Sequence, residues 1–377
     1  MKTKYLIIVS LFIISFRTSA DIDLDQSFLK ATGSNLQQHI LPENKTNSLA
    51  EMLDKIWTKT RDGSAGFPPV VSQKPIGACQ SFEITAQMEY IFYFETGSVI
   101  KFSEKHTTYR LLKMMIDDFW DAEKKAYSTK PALGQGIAPF VIDVVTSIGM
   151  MPEQNYPWGD FASDSGSRSI DLELFKNTFE APARDYSPEE YRRLLDQVFL
   201  SAPPNVFYYI LKMPNFATGS TEDVVLRSSK EINQYIGVSK DRFIIRYNKD
   251  RVPTFNKTAP EDVQNFLKWA STVSETKKIP YEVTGGEQII ASIKESLDRL
   301  MVVGIAADVW SGSWTDKMVY AGGGGHAMVV VGYQTREDGK TYFKLRNSWG
   351  PKIGVDGYNL VEESVLLPNI YYTIEYK

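Results

Sequence analysis

One cysteine, Cys79, and three histidines, His39, His106 and His326, are the side chains in this 377-residue chain best suited to nucleophilic or metal chemistry. A single cysteine excludes an intramolecular disulfide. The set is also too small for a Cys/His zinc cage, so neither a metal nor a cofactor is expected. Cys79 is then either a reactive thiol or a small buried apolar residue. Its surroundings favour reactivity. The segment Gln73-Lys-Pro-Ile-Gly-Ala-Cys79-Gln-Ser-Phe82 has the Pro and Gly of a turn, and residues 81–95 are rich in Phe, Ile, Met and Tyr. This predicts a loop feeding a largely buried helix that stops at Gly97. A thiol at the start of that helix meets unpaired N–H groups and the positive end of the helix dipole, and both lower its pKa.

A base for that thiol lies far along the chain. Residues 302–307 read as a buried strand and 322–325 as an open glycine loop. His326-Ala-Met-Val-Val-Val-Gly332-Tyr333 follows as a strand with an imidazole at its start. After a polar turn come a strand at 342–346, then Asn347-Ser348-Trp349-Gly350, then Gly354-Val-Asp-Gly357-Tyr358. His39 and His106 are expected in ordinary structural or surface roles.

These residues together resemble the papain-like cysteine peptidases. Gln73, Cys79 and Phe82 fit the family's Gln-x5-Cys-x2-Phe pattern, and Thr96-Gly97 and Ser103-Glu104 follow at the family's spacings. Gly136, Gly149 and Tyr156-Pro157 keep the mutual spacing of the groove glycine and the Tyr-Pro turn. The His326 strand, the Asn-Ser-Trp-Gly motif and the Gly-x-x-Gly-Tyr strand come in family order. The resemblance implies a cysteine peptidase acting on protein or peptide substrates. Cys79 would be the nucleophile in a thiolate–imidazolium pair with His326, and Asn347 would orient the imidazole under the cover of Trp349. The Gln73 amide and the Cys79 backbone N–H would form the oxyanion hole. Gly136 would hold an extended substrate. Small Ala138, Ala306 and Ala327 would leave room for a bulky apolar side chain on the residue before the scissile one.

The chain departs from the family at several places. Gln80 stands where a Trp usually follows the nucleophile, Ile76 replaces a disulfide cysteine, and Ile353 replaces an aromatic. His326 lies 247 residues after Cys79, against the roughly 130–150 expected. The same scaffold without turnover would be a binding or inhibitory module, and acyl transfer to an amine would make it a transamidase.

Composition bounds the rest. Hydrophobic residues make up 43% and charged residues 23%, the balance of a folded protein, and a net charge of −4 gives no cationic field for nucleic acid. Residues 1–20 read as a signal peptide: Lys2 and Lys4, an apolar run, then Thr18-Ser19-Ala20. That run is too short to span a bilayer, so export is expected, to a secreted or periplasmic/lumenal location, with no membrane span. Residues 21–55 are expected to be an N-terminal segment or autoinhibitory propeptide of a zymogen. Residues 56–158 are expected to form a lobe with the nucleophile, 159–286 an insertion, and 287–377 a lobe with His326 and Asn347. The expected class is α+β: a papain-like two-lobed fold, one lobe helical and the other β-barrel-like, with an inserted α/β subdomain. A monomer is expected.

Overall fold

The structure, a computed structural model, describes residues 60–73, 76–128, 138–159, 170–180, 186–215, 220–250, 260–309, 324–335 and 339–377. The expected leader and propeptide, His39 and Gly136 lie outside these residues.

The helices are α1 (Cys79–Thr96), α2 (Glu104–Asp118), α3 (Ala138–Ser147), α4 (Leu172–Phe175), α5 (Pro188–Val198), α6 (Ser229–Ile236), α7 (Pro260–Lys277), α8 (Gly286–Asp298) and α9 (Glu363–Leu366). Local chemistry sets their ends. α1 stops at Gly97, which takes φ 72° and returns its N–H to the Tyr93 carbonyl at 2.7 Å, the left-handed cap that glycine adopts without a Cβ penalty. Ser103 caps α2 by accepting from the His106 N–H. Ser187 and Glu190 form a capping box on α5, with Pro188 at its first position. α2 ends at Asp118, and a short hairpin follows, turning near Lys125 at φ 50°.

The strands are β1 (Thr60–Asp62), β2 (Trp120–Asp121), β3 (Ala126–Tyr127), β4 (Tyr209–Asn215), β5 (Ser220–Leu226), β6 (Phe243–Asn248), β7 (Tyr281–Thr284), β8 (Val303–Val309), β9 (Gly324–Thr335), β10 (Thr341–Arg346), β11 (Tyr358–Glu362) and β12 (Ile370–Tyr376). The main sheet runs β11-β10-β9-β8-β12-β6-β7, with β1 paired to β9. It is antiparallel except between β6 and β7. Gly324 and Gly325, expected in a loop, are the first residues of β9.

Period-two alternation gives this sheet two apolar faces. Val303, Ile305, Ala307, Met328, Val330, Phe343 and Leu345 pack with Ile289, Ile290, Ile293 and Leu297 of α8. Ala306, Val329, Val331, Tyr372 and Ile374 join the other core, which contains α1. α1 is buried from Cys79 to Phe92 on every side. Its polar side chains therefore need internal partners, such as the 2.9 Å hydroxyl pair of Thr85 and Thr107.

Part of the expected insertion is continuous with the β lobe, because β6 pairs with β12 and carries β7 at its far edge. Its connections also reach the helical side. Asp143 of α3, almost buried, pairs with Lys240 and, at 2.8 Å, with Lys277. Strands and helices of the inserted segment share the main core, since β6 alternation buries Phe243, Ile245 and Tyr247 there.

Candidate active site

Cys79 is the first residue of α1 and is 8% exposed. Its sulfur is faced by the N–H groups of Ala327, Gln80 and Cys79 itself, so the start of α1 and strand β9 meet at the thiol. Burial outweighs these donors, with Glu83 one turn further on adding to it, and pushes the thiol up to about 11. This corrects the expectation of a depressed pKa: the helix N-terminus is present, but desolvation opposes the charge it would stabilise.

The imidazole of His326 is 4% exposed, and burial lowers its pKa to about 4 against the opposing effect of Asn347. Nε2 lies 2.9 Å from Asn347 Oδ1. Asn347 Oδ1 also accepts the Ser348 N–H at 2.7 Å, and Nδ2 faces Asn359 Oδ1 at 3.4 Å, which fixes the amide orientation. Oδ1 can only accept, so the ring proton is assigned to Nε2 and Nδ1 is the basic nitrogen. The Trp349 ring stacks on the imidazole with centroids 4.3 Å apart. Burial opposes the charge on sulfur and on imidazole taken singly.

Gln73 is tied to the same turn. Its backbone N–H donates to the Ser348 carbonyl at 2.8 Å, and its Oε1 accepts from Ser348 Oγ. Nε2 spends one N–H on the Ile76 carbonyl at 3.0 Å and carries a second. Gln80, in the place of the family's Trp, is buried and donates to the Tyr372 hydroxyl at 3.0 Å. Among the pocket residues, Ala306 and Ala327 are cross-strand partners, and Ala138 is fully buried at the start of α3.

The structure adds residues to those read from the sequence. Ser348 orients Gln73 and lies inside the Asn-Ser-Trp-Gly motif, so its position was visible although its partner was not. Glu83 is four residues beyond Cys79, hence on the same helix face. Tyr372, 292 residues from Gln80, gave no local signal. His106 is fully buried in α2, with Arg110 Nε 3.3 Å from its Nε2. Among the described residues, no cluster of His, Cys, Asp or Glu is arranged to hold a metal ion, and no helix is long and apolar enough to cross a membrane.

Residues 219–370 match the family model described as papain family cysteine protease. Cysteine proteinase EP-B 1 of Hordeum vulgare is 30% identical over 99 residues, which is 24% of this chain and 27% of that protein. Cathepsin B-like CP2 of Giardia intestinalis is 57% identical over 35 residues, 9% of this chain and 12% of the relative. The matches thus span well under two thirds of either relative. The crystal structure of PepW from Lactobacillus rhamnosis shares the fold at a TM-score of 0.55 and 16% identity, covering 96% of this chain and 93% of that one. Residues 219–370 thus match the papain family model, and the fold is that of papain-like cysteine peptidases.

Proposed function

We propose that this protein hydrolyses peptide bonds through an acyl-enzyme on Cys79. The observation that carries the reading is the His326 Nε2 to Asn347 Oδ1 bond of 2.9 Å, with Cys79 buried at the start of α1. It assigns one imidazole nitrogen to Asn347 and leaves the other as the base. Substrate entering the site hands the Cys79 proton to His326 Nδ1, and the sulfur attacks the carbonyl carbon. The oxyanion is received by the second Gln73 Nε2 N–H and the Cys79 N–H. His326 then protonates the leaving amine, and water releases the acyl group.

The same reading includes a zymogen, in which removal of residues 21–55 precedes activity. The small side chains of Ala306 and Ala327 support a bulky apolar residue before the scissile one. The test is reductant-dependent hydrolysis of such a fluorogenic peptide, before and after acid activation, with Cys79→Ala and an epoxide thiol label in parallel. Turnover and labelling that both vanish in Cys79→Ala are expected. A wild-type protein that is neither labelled nor active after loss of the N-terminal segment would instead be a binding module.

A further inference from the structure

Glu180 ends the π-helical turn Lys176–Glu180 that follows α4, in the segment inserted between Cys79 and His326, and its Oε1 accepts the Gly77 N–H at 3.1 Å. Phe179 beside it is fully buried and packs on the rings of Phe175 and Tyr191, which anchors the backbone that presents the carboxylate. Gly77 has no such packing. Among the described residues beyond its chain neighbours, no heavy atom lies within 4 Å of where its Cβ would stand. Ile76 replaces the family's disulfide cysteine, so no covalent link braces this loop either.

The Gly77 N–H and the Ile76 carbonyl belong to one planar trans peptide unit and point in opposite directions. That carbonyl accepts Gln73 Nε2 at 3.0 Å and the Ala78 N–H at 2.8 Å. Turning the unit about its long axis would break the Glu180 and Gln73 bonds together, and glycine on one side offers little steric resistance to the turn.

We propose that Glu180 is a positioning residue for the oxyanion hole. By holding the Gly77 N–H it keeps the Ile76 carbonyl on one N–H of the Gln73 amide, and the other N–H stays aimed at the oxyanion. A charged acceptor on the N–H also polarises the peptide unit, which strengthens the carbonyl at its far end as an acceptor for Gln73. The inserted segment thus reaches the reaction through a single backbone peptide. This rests on the peptidase reading.

The experiment measures kcat and KM on one fluorogenic peptide, with the full chain after acid activation, for the unmodified protein, Glu180→Ala, Glu180→Gln, Gln73→Ala and the Gln73→Ala/Glu180→Ala double variant. Glu180→Ala is expected to lower kcat about fivefold with KM unchanged, the scale of one hydrogen bond. Glu180→Gln keeps an acceptor for the Gly77 N–H and should recover most of that loss. In the Gln73→Ala background the amide to be aimed is gone, so Glu180→Ala should cost nothing further. Alkylation of Cys79 by iodoacetamide builds no oxyanion, and its rate should be the same in Glu180→Ala as in the unmodified protein. An unchanged kcat in Glu180→Ala overturns the proposal. So does a loss that persists in full without Gln73, or an alkylation rate that falls along with kcat, since Glu180 would then only brace the start of α1. Failure of the peptidase reading looks different: the unmodified chain turns over no peptide and the epoxide leaves Cys79 unlabelled, which removes this proposal with it.

Discussion

The imidazole of His326 and the indole of Trp349 lie nearly face to face, with centroids 4.3 Å apart and planes 22° from parallel. The indole is part of what keeps water from the His326–Asn347 bond, so it contributes to the burial that holds the imidazole at about 4. Trp349→Ala admits water and relieves the penalty on the charged ring. The His326 pKa should rise from about 4 toward the unperturbed value near 6.5, read by NMR titration of the ring. Trp349→Phe should leave it low. A pKa that stays at about 4 in Trp349→Ala would assign the burial to other walls.

Ser348 Oγ donates to Gln73 Oε1, and the Gln73 backbone N–H is held by the Ser348 carbonyl. In the proposed mechanism the hydroxyl would therefore act on catalysis through the Gln73 amide. Losing an oxyanion donor outright costs about 10²–10³ in kcat, so Gln73→Ala should fall in that range. Ser348→Ala should lose about tenfold, mainly in kcat, because the amide remains but is less firmly aimed. Losses of equal size in the two variants would place Ser348 in direct contact with the reaction.

Two buried imidazoles should each weaken the fold on acidification. Burial lowers His326 to about 4, and burial with the neighbouring Arg110 lowers His106 to about 3, while both titrate near 6.5 when unfolded. Below 6.5 the unfolded chain gains protons that the folded chain does not yet bind. Their contribution to stability is thus fully present above 6.5 and is lost until each folded pKa is passed, while the raised carboxyls of Glu83 and Glu153 act in the opposite direction. Each imidazole contributes a slope approaching about 1.4 kcal/mol per pH unit. Urea unfolding between pH 7 and 3 should show the His106 share as a difference between proteins, with His106→Gln losing less stability on acidification than the unmodified chain. A slope unchanged in that variant would remove His106 as a contributor.

What was legible was local. The start of α1, its stop at Gly97, the His326 strand and the Asn347 turn are each written in a few consecutive residues. The substitution of Gln80 was visible as a departure, but its outcome depends on Tyr372 from the last strand. Burial of Cys79 and the contact of Glu180 with Gly77 arise from elements that the chain brings together over a hundred residues or more. The helix-end effect on the thiol could be anticipated from position, whereas desolvation required the packing of β9 and β12 against α1. The sharing of β6 with the main sheet was hidden for the same reason, since strand pairing is not a property of either strand alone.

Glu83 and Gln87 occupy the same face of α1, one turn apart, with Gln87 Nε2 donating to Glu83 Oε1, and both are held against the bare backbone of Gly304 on β8. A Cβ at Gly304 would run into Glu83 Oε1 and Gln87 Nε2. Burial raises the Glu83 pKa well above the carboxylate range, only partly offset by Gln87. Gly304→Ala must therefore displace two buried polar side chains, at a cost of about 1–3 kcal/mol, measurable by urea unfolding. When Glu83 ionises at higher pH, its charge adds to the burial that holds the Cys79 thiol up at about 11. Glu83→Gln keeps the shape and removes that charge. The midpoint for Cys79 alkylation against pH should then fall, by under about one unit because burial is the larger cause. An unchanged midpoint would leave burial as the sole reason that the thiol is protonated at rest.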